Sequence, residues 1–161
     1  MRLRRKPWID EAILDFNDFV YTKGQSPSEE IKGHWHEVFD RQAPLYVELG
    51  TGKGDFISKT AALHPEVNFI GIELQQDVLY YAAKKVKELG LTNVRLMVFN
   101  IEQIENIFAE DEVDRFYITS AYFTRIQIAV QLREHAQIPT RPVRLLAAIR
   151  ANSLTLRQST R

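Results

Sequence analysis

Three glycines at alternate positions, Gly50, Gly52 and Gly54, follow an apolar run, Leu45–Leu49, that carries one acid, Glu48. A second apolar run ends on another acid, in Phe69-Ile70-Gly71-Ile72-Glu73. A strand that turns sharply into a helix needs positive φ or bare backbone against a ligand, and glycine supplies both. The amides of such a turn lie at the positive end of the following helix. A carboxylate at the end of the second strand can accept both hydroxyl protons of a ribose. Together these spacings predict a nucleoside site at the mouth of a parallel sheet, formed by Gly50, Thr51, Gly52, Gly54 and Glu73.

The details of the turn narrow the ligand. The dinucleotide fingerprint is G-x-G-x-x-G, whereas this turn is G-x-G-x-G. The phosphate-binding loop needs Ser or Thr after its Lys, and Lys53 is followed by Gly54. Glu48, just before the turn, would repel a pyrophosphate and attract a cation. A sulfonium that also carries an ammonium group is such a cation. The residues thus favour S-adenosyl-L-methionine as cofactor over NAD, with an NAD-dependent oxidoreductase as the competing reading. Asn100 closes the third apolar run. It suits either an amide contact to adenine or a simple turn, because an amide both donates and accepts.

The elements that must position these residues follow a regular rhythm from Pro44 onward. Strands are expected at Leu45–Leu49, Asn68–Ile72, Asn93–Phe99 and Asp114–Ile118. Helices are expected at Asp55–Leu63, with Phe56, Ile57 and Ala61 inward, at Gln76–Leu89, ended by Gly90, and at Ile101–Phe108. Such alternation predicts an α/β fold of Rossmann-like type, a parallel sheet of four strands with helices on both faces. Before it, helical spacing predicts a helix over Trp8–Tyr21, and Lys23–Ser28 reads as loop. Trp35, Val38 and Phe39 form a further apolar face, and Trp8 and Trp35 are expected to be packing residues. One of Tyr80 and Tyr81 is expected to face the core.

Composition sets the outer bounds. A chain of 161 residues fits one domain with a sizeable core. No apolar run approaches the ~18 residues of a membrane helix. The basic opening is followed at once by Asp10, Glu11 and Asp15 rather than by the apolar core of a signal peptide, so a cytosolic protein is expected. The absence of cysteine excludes disulfides, thiolate catalysis and thiolate zinc sites. His34 and His36 flank Trp35 with no third ligand in reach, so no metal site is expected. The net charge of zero hides an asymmetry. Residues 1–118 hold all the lysines and glycines, with fourteen basic residues against twenty acids, a formal −6. Residues 119–161 hold seven arginines against Glu134 alone, a formal +6.

The chain resembles the bacterial tRNA (guanine-N7)-methyltransferases. The matching pieces are Met1-Arg2-Leu3-Arg4-Arg5-Lys6-Pro7-Trp8, Lys32-Gly33-His34-Trp35, Glu48 through Gly54, Gly71-Ile72-Glu73-Leu74, and Asn93-Val94-Arg95-Leu96. The resemblance covers residues 1–118 and fades after Val113 to Ile118. It implies a class I S-adenosylmethionine-dependent fold, methyl transfer to guanine N7 at tRNA position 46, and cofactor contacts at Glu48, Glu73 and Asn100. The family usually has Asp where this chain has Asn100. The resemblance also implies tRNA as partner, with Arg2, Arg4, Arg5 and Lys6 as candidate phosphate contacts; no membrane partner is expected, and the oligomeric state is not given by the sequence, a monomer being the expectation.

Past Ile118 the family pattern stops. The Asn-Phe-Ser-Asp-Pro-Trp-Pro-like segment is replaced by Thr119-Ser120-Ala121-Tyr122-Phe123-Thr124-Arg125. Tyr122 stands where the family's aspartate is expected, so the catalytic residue is unknown. The coincidence of this break with the change in composition suggests an atypical basic tail over 119–161, such as a shifted reading frame would encode. On that expectation the chain is an enzyme by ancestry, in an inactive form. The alternative is a non-catalytic remnant that binds S-adenosylmethionine or RNA.

Overall fold

The computed structural model describes residues 6–25, 27 and 29–118. Among them, five strands form one parallel sheet: β1 (Val20–Tyr21), β2 (Leu45–Leu49), β3 (Asn68–Glu73), β4 (Val94–Val98) and β5 (Arg115–Ile118). Their order is β1-β4-β3-β2-β5. The helices are α1 (Ile9–Ala12), α2 (Trp35–Val38), α3 (Asp55–Leu63) and α4 (Gln76–Glu88), with 3₁₀ turns at Ile13–Phe16, Glu29–Ile31 and Ile101–Asn106.

Strands β2, β3 and β4 read as near-continuous apolar runs because both of their faces are covered. Alternate residues go to opposite sides. Val47, Leu49, Ile70, Ile72 and Met97 pack with Trp35 and Phe108 on one face. Phe69, Val94, Leu96 and Val98 pack with Ile57, Leu79 and Val86 of α3 and α4 on the other. Helix α4 turns Leu79, Ala82, Ala83 and Val86 inward, the spacing of one helical face, and stops at Gly90 with φ +63°. On the opposite face Trp35 is 1% exposed and donates its indole N–H to the Ile107 carbonyl at 2.8 Å. Glu112 holds the start of α2, accepting the amides of Gly33 (2.9 Å) and Trp35 (3.1 Å). No helix among the described residues is long and apolar enough to cross a membrane.

Four expectations need correction. The helix expected over Trp8–Tyr21 ends at Phe16, and Val20–Tyr21 instead adds a parallel fifth strand, pairing Val20 with Leu96 and Tyr21 with Met97. That pairing covers the edge of β4, which a four-stranded sheet would leave open. The helix expected over Ile101–Phe108 is a 3₁₀ turn to Asn106, broken at Gln103 (φ −108°, ψ 17°). Trp8 is 52% exposed and meets Tyr80 edge-on at 5.3 Å, so only Trp35 is a core tryptophan.

The sheet also requires a hydrogen at one side-chain position. A Cβ on Gly71 would lie 2.6 Å from Thr51 Oγ1, 2.7 Å from Leu96 Cδ2 and 2.9 Å from Ile57 Cδ1. Gly71→Ala is therefore expected to lower the unfolding free energy by about 1–3 kcal/mol, the range for overpacking. Urea unfolding of the two proteins checks this, and equal midpoints would contradict it.

Candidate functional site

The carboxyl ends of the strands and the reversal of strand order define where an open parallel sheet binds ligands. Here β3 and β4 lie to one side of β2 and β5 to the other, so the crevice opens at the end of β2. The glycine turn leaves the sheet at that point. Gly50 and Thr51 both donate their amides to the Ile72 carbonyl, at 2.8 and 2.9 Å. Gly54 N–H closes the turn on the Thr51 carbonyl at 3.0 Å.

The glycines serve different ends. Gly52 has φ +58°, which an L side chain rarely adopts, and a Cβ there would meet nothing nearer than the Gly50 carbonyl at 4.0 Å. The space beside it is open, as a backbone that receives a ligand requires. Gly54 instead allows contact between helices, since its Cβ would lie 2.6 Å from Ala82 Cβ. Helix α3 starts directly after it, with Asp55 in its first turn.

Glu73 is the organising side chain. Its Oε2 accepts the Gly52 amide at 3.0 Å, and its Oε1 accepts the amides of Leu74 (2.9 Å) and Gln75 (3.1 Å). Glu73 is half-buried at the end of β3, opposite Val98. Glu48 is 2% exposed and lies in register with Gly71 on one side and Tyr117 on the other. The two acids thus sit at the ends of adjacent strands, one below the turn and one beside it. Asn100 ends the loop after β4, exposed, with Oδ1 accepting the Glu102 amide at 3.0 Å. It caps the 3₁₀ turn, as the turn reading of this residue anticipates.

The structure therefore gathers Glu48, Gly50, Thr51, Gly52, Gly54, Glu73 and Asn100 at one end of the sheet. Lys6 lies against α4, bonded to Asp77 and Tyr81. Arg2, Arg4, Arg5 and Tyr122 fall outside the described residues, as does the tail 119–161. His34 binds Glu37 at 2.9 Å, and among the described residues no group of three or more His, Asp or Glu is arranged to hold a metal ion. Neither Ile72, whose carbonyl anchors the turn, nor Gly71, whose missing side chain makes room for Thr51, stands out in the sequence as part of the turn. Both contacts join strands, and no local pattern encodes them.

These features define the Rossmann-like fold of the class I methyltransferases. A solved antibiotic-related methyltransferase shares it with a TM-score of 0.50 at 21% identity, over 63% of this chain and 52% of that one. Residues 42–120, which include the turn, Glu73 and Asn100, match the family described as "putative methyltransferase". The chain is similar to bacterial tRNA (guanine-N7)-methyltransferases. It is 47% identical to that of Halalkalibacterium halodurans over 118 residues, 73% of this chain and 52% of the relative. It is 38% identical to that of Listeria monocytogenes over 118 residues, 73% of this chain and 53% of the relative. The chain thus spans about half the length of the curated relatives it matches.

Asp55 ties the turn to α4. The Lys85 ammonium, bonded to Asp55 Oδ1 at 2.6 Å, holds this carboxyl below the usual range, helped by the charges of Lys59 and Lys53. A depressed carboxyl contributes stability above its unfolded pKa and loses it as pH falls through the folded value. Asp55 is expected to titrate below an ordinary aspartate by carboxyl-carbon NMR, and Lys85→Met to move it back up. An ordinary midpoint in the unmodified chain would contradict the pairing.

Proposed function

We propose that this chain carries the cofactor-binding part of a cytoplasmic, monomeric tRNA (guanine-N7)-methyltransferase that uses S-adenosyl-L-methionine and acts on guanine 46. The observation that supports it most is the glycine turn bound to Glu73 within a segment that matches the methyltransferase family. The residues present fit this cofactor. Open space faces Gly52, a half-buried carboxylate stands at a ribose's reach, and a buried carboxylate lies under the turn.

Each residue then has a task. Glu73 accepts the ribose hydroxyls, releasing the Gly52 amide that it holds in this structure. Gly50 to Gly54 present backbone to the nucleoside and its amino-acid arm. Glu48, buried below the turn, would favour a cationic cofactor there, since its charge is little screened by water. Asn100 offers its amide N–H₂ to adenine while Oδ1 keeps its cap. When bound, S-adenosylmethionine would supply an electrophilic methyl carbon, with the neutral thioether of S-adenosylhomocysteine as leaving group. Guanine N7 carries a free lone pair, so no general base would be needed as the N7–methyl bond forms and the methyl–sulfur bond breaks, and the chain's task would be to hold the base in line.

A second reading has its own support. The family match ends at residue 120, and the tail 119–161 differs in composition from the rest. On this reading the two parts are 1–118, a cofactor-binding unit, and 119–161, an out-of-frame tail, and the protein binds without turnover. Two assays on the full chain separate the readings. Calorimetry with S-adenosylhomocysteine is expected to show one site, weakened about 10- to 100-fold by Glu73→Ala, as for loss of a charged hydrogen bond of about 1.5–3 kcal/mol. Methyl transfer to unmodified tRNA marks the enzyme. Binding without transfer marks the remnant, and NAD binding in place of S-adenosylhomocysteine would contradict both.

A further inference from the structure

Two cations from distant parts of the chain meet on one ring. Lys6 Nζ donates to the Tyr81 hydroxyl at 2.7 Å and lies 5.1 Å from the ring centroid. Lys53, between Gly52 and Gly54 in the turn itself, places its Nζ 5.7 Å from the same centroid. The position of Lys6 is fixed from behind, where its backbone N–H donates to Asp77 Oδ2 at 3.1 Å. Of the nearby acids, Asp77 holds that amide, and Asp55 pairs with Lys85 while also feeling the charge of Lys53. Among the described residues, no ion pair joins Lys6 or Lys53 to a carboxylate.

Lys6 stands at the hydroxyl end of the ring and Lys53 near it, so a phosphate that reached Tyr81 would meet positive charge from both. The aromatic surface continues from Tyr81 to Tyr80 at 5.5 Å and on to Trp8 at 5.3 Å, which is half-exposed. Cations beside a cluster of edge-on aromatics, with the Trp8 ring open to solvent, suit an RNA strand with unpaired bases rather than a rigid duplex or a small anion.

We propose that Lys6, Lys53 and Tyr81 form a phosphate-binding site for the RNA strand that presents the target base. The inference rests on the tRNA reading above. Because Lys53 belongs to the glycine turn, a phosphate held there fixes the strand next to the methyl donor. The sequence flags Lys6 alone, since Lys53 and Tyr81 join it only in three dimensions.

The test is binding of the full chain to an unmodified tRNA transcript over a series of KCl concentrations. The variants are Lys6→Gln, Lys53→Gln and their combination. Each neutralised contact is expected to lower the slope of log affinity against log salt by about 0.7–0.9. Lys6→Arg with Lys53→Arg is expected to restore it. An unchanged slope in the doubly neutralised variant overturns this inference and leaves the tRNA reading standing. Failure of the unmodified chain to bind tRNA overturns both. An equal loss of slope on a DNA duplex would show a contact to polyanions at large and overturn the assignment to RNA.

Discussion

The Ile72 carbonyl takes two amides of the glycine turn, Gly50 and Thr51, and the neighbouring Glu73 carboxylate takes a third, Gly52. The last two residues of β3 thereby shape the loop that leaves β2. That arrangement exists only in one register, Leu49 beside Ile72, and a slip of one residue would turn Glu73 to the opposite face of the sheet. Gly71 guards the register from beneath, because any larger residue would push on Thr51. Packing, turn geometry and the candidate site are thus a single construction.

The charges follow the same plan. Two acids stand at the ends of β2 and β3, and two lysines stand at the rim around Tyr81. A cationic cofactor suits the inner position and a polyanion the outer one. Of the acids behind the formal −6 over residues 1–118, Glu48 and Glu73 stand at the strand ends, apart from the lysines around Tyr81.

Much of this was legible in the sequence where the signal is local. The alternation of apolar runs and amphipathic helices located β2 to β5, α3 and α4 to within two residues, and the glycine turn with Glu73 located the crevice. What escaped was long-range. Val20–Tyr21 has no strand signature, because its strand character comes from pairing with Leu96 and Met97. Glu112 looks like a surface acid until it is seen holding the amides of Gly33, Trp35 and Ala109. Tyr80 and Tyr81 are adjacent in sequence, yet one packs against Phe16 and the other receives Lys6. Asn100 was legible as two alternatives, and its bond to the Glu102 amide realises the turn without spending its N–H₂ group.

The ribose contact proposed for Glu73 is the point on which the functional reading turns. An amide NMR titration with S-adenosylhomocysteine measures it directly. The Gly52 resonance, now that of an amide bonded to a carboxylate, should show one of the largest shifts, with Gly50, Thr51 and Gly54 moving with it. Residues at the opposite end of the sheet, Asn68 and Asp114, should stay in place. Shifts centred on Asn68 and Asp114 with an unmoved Gly52 would place the ligand at the wrong end of the strands and contradict the site.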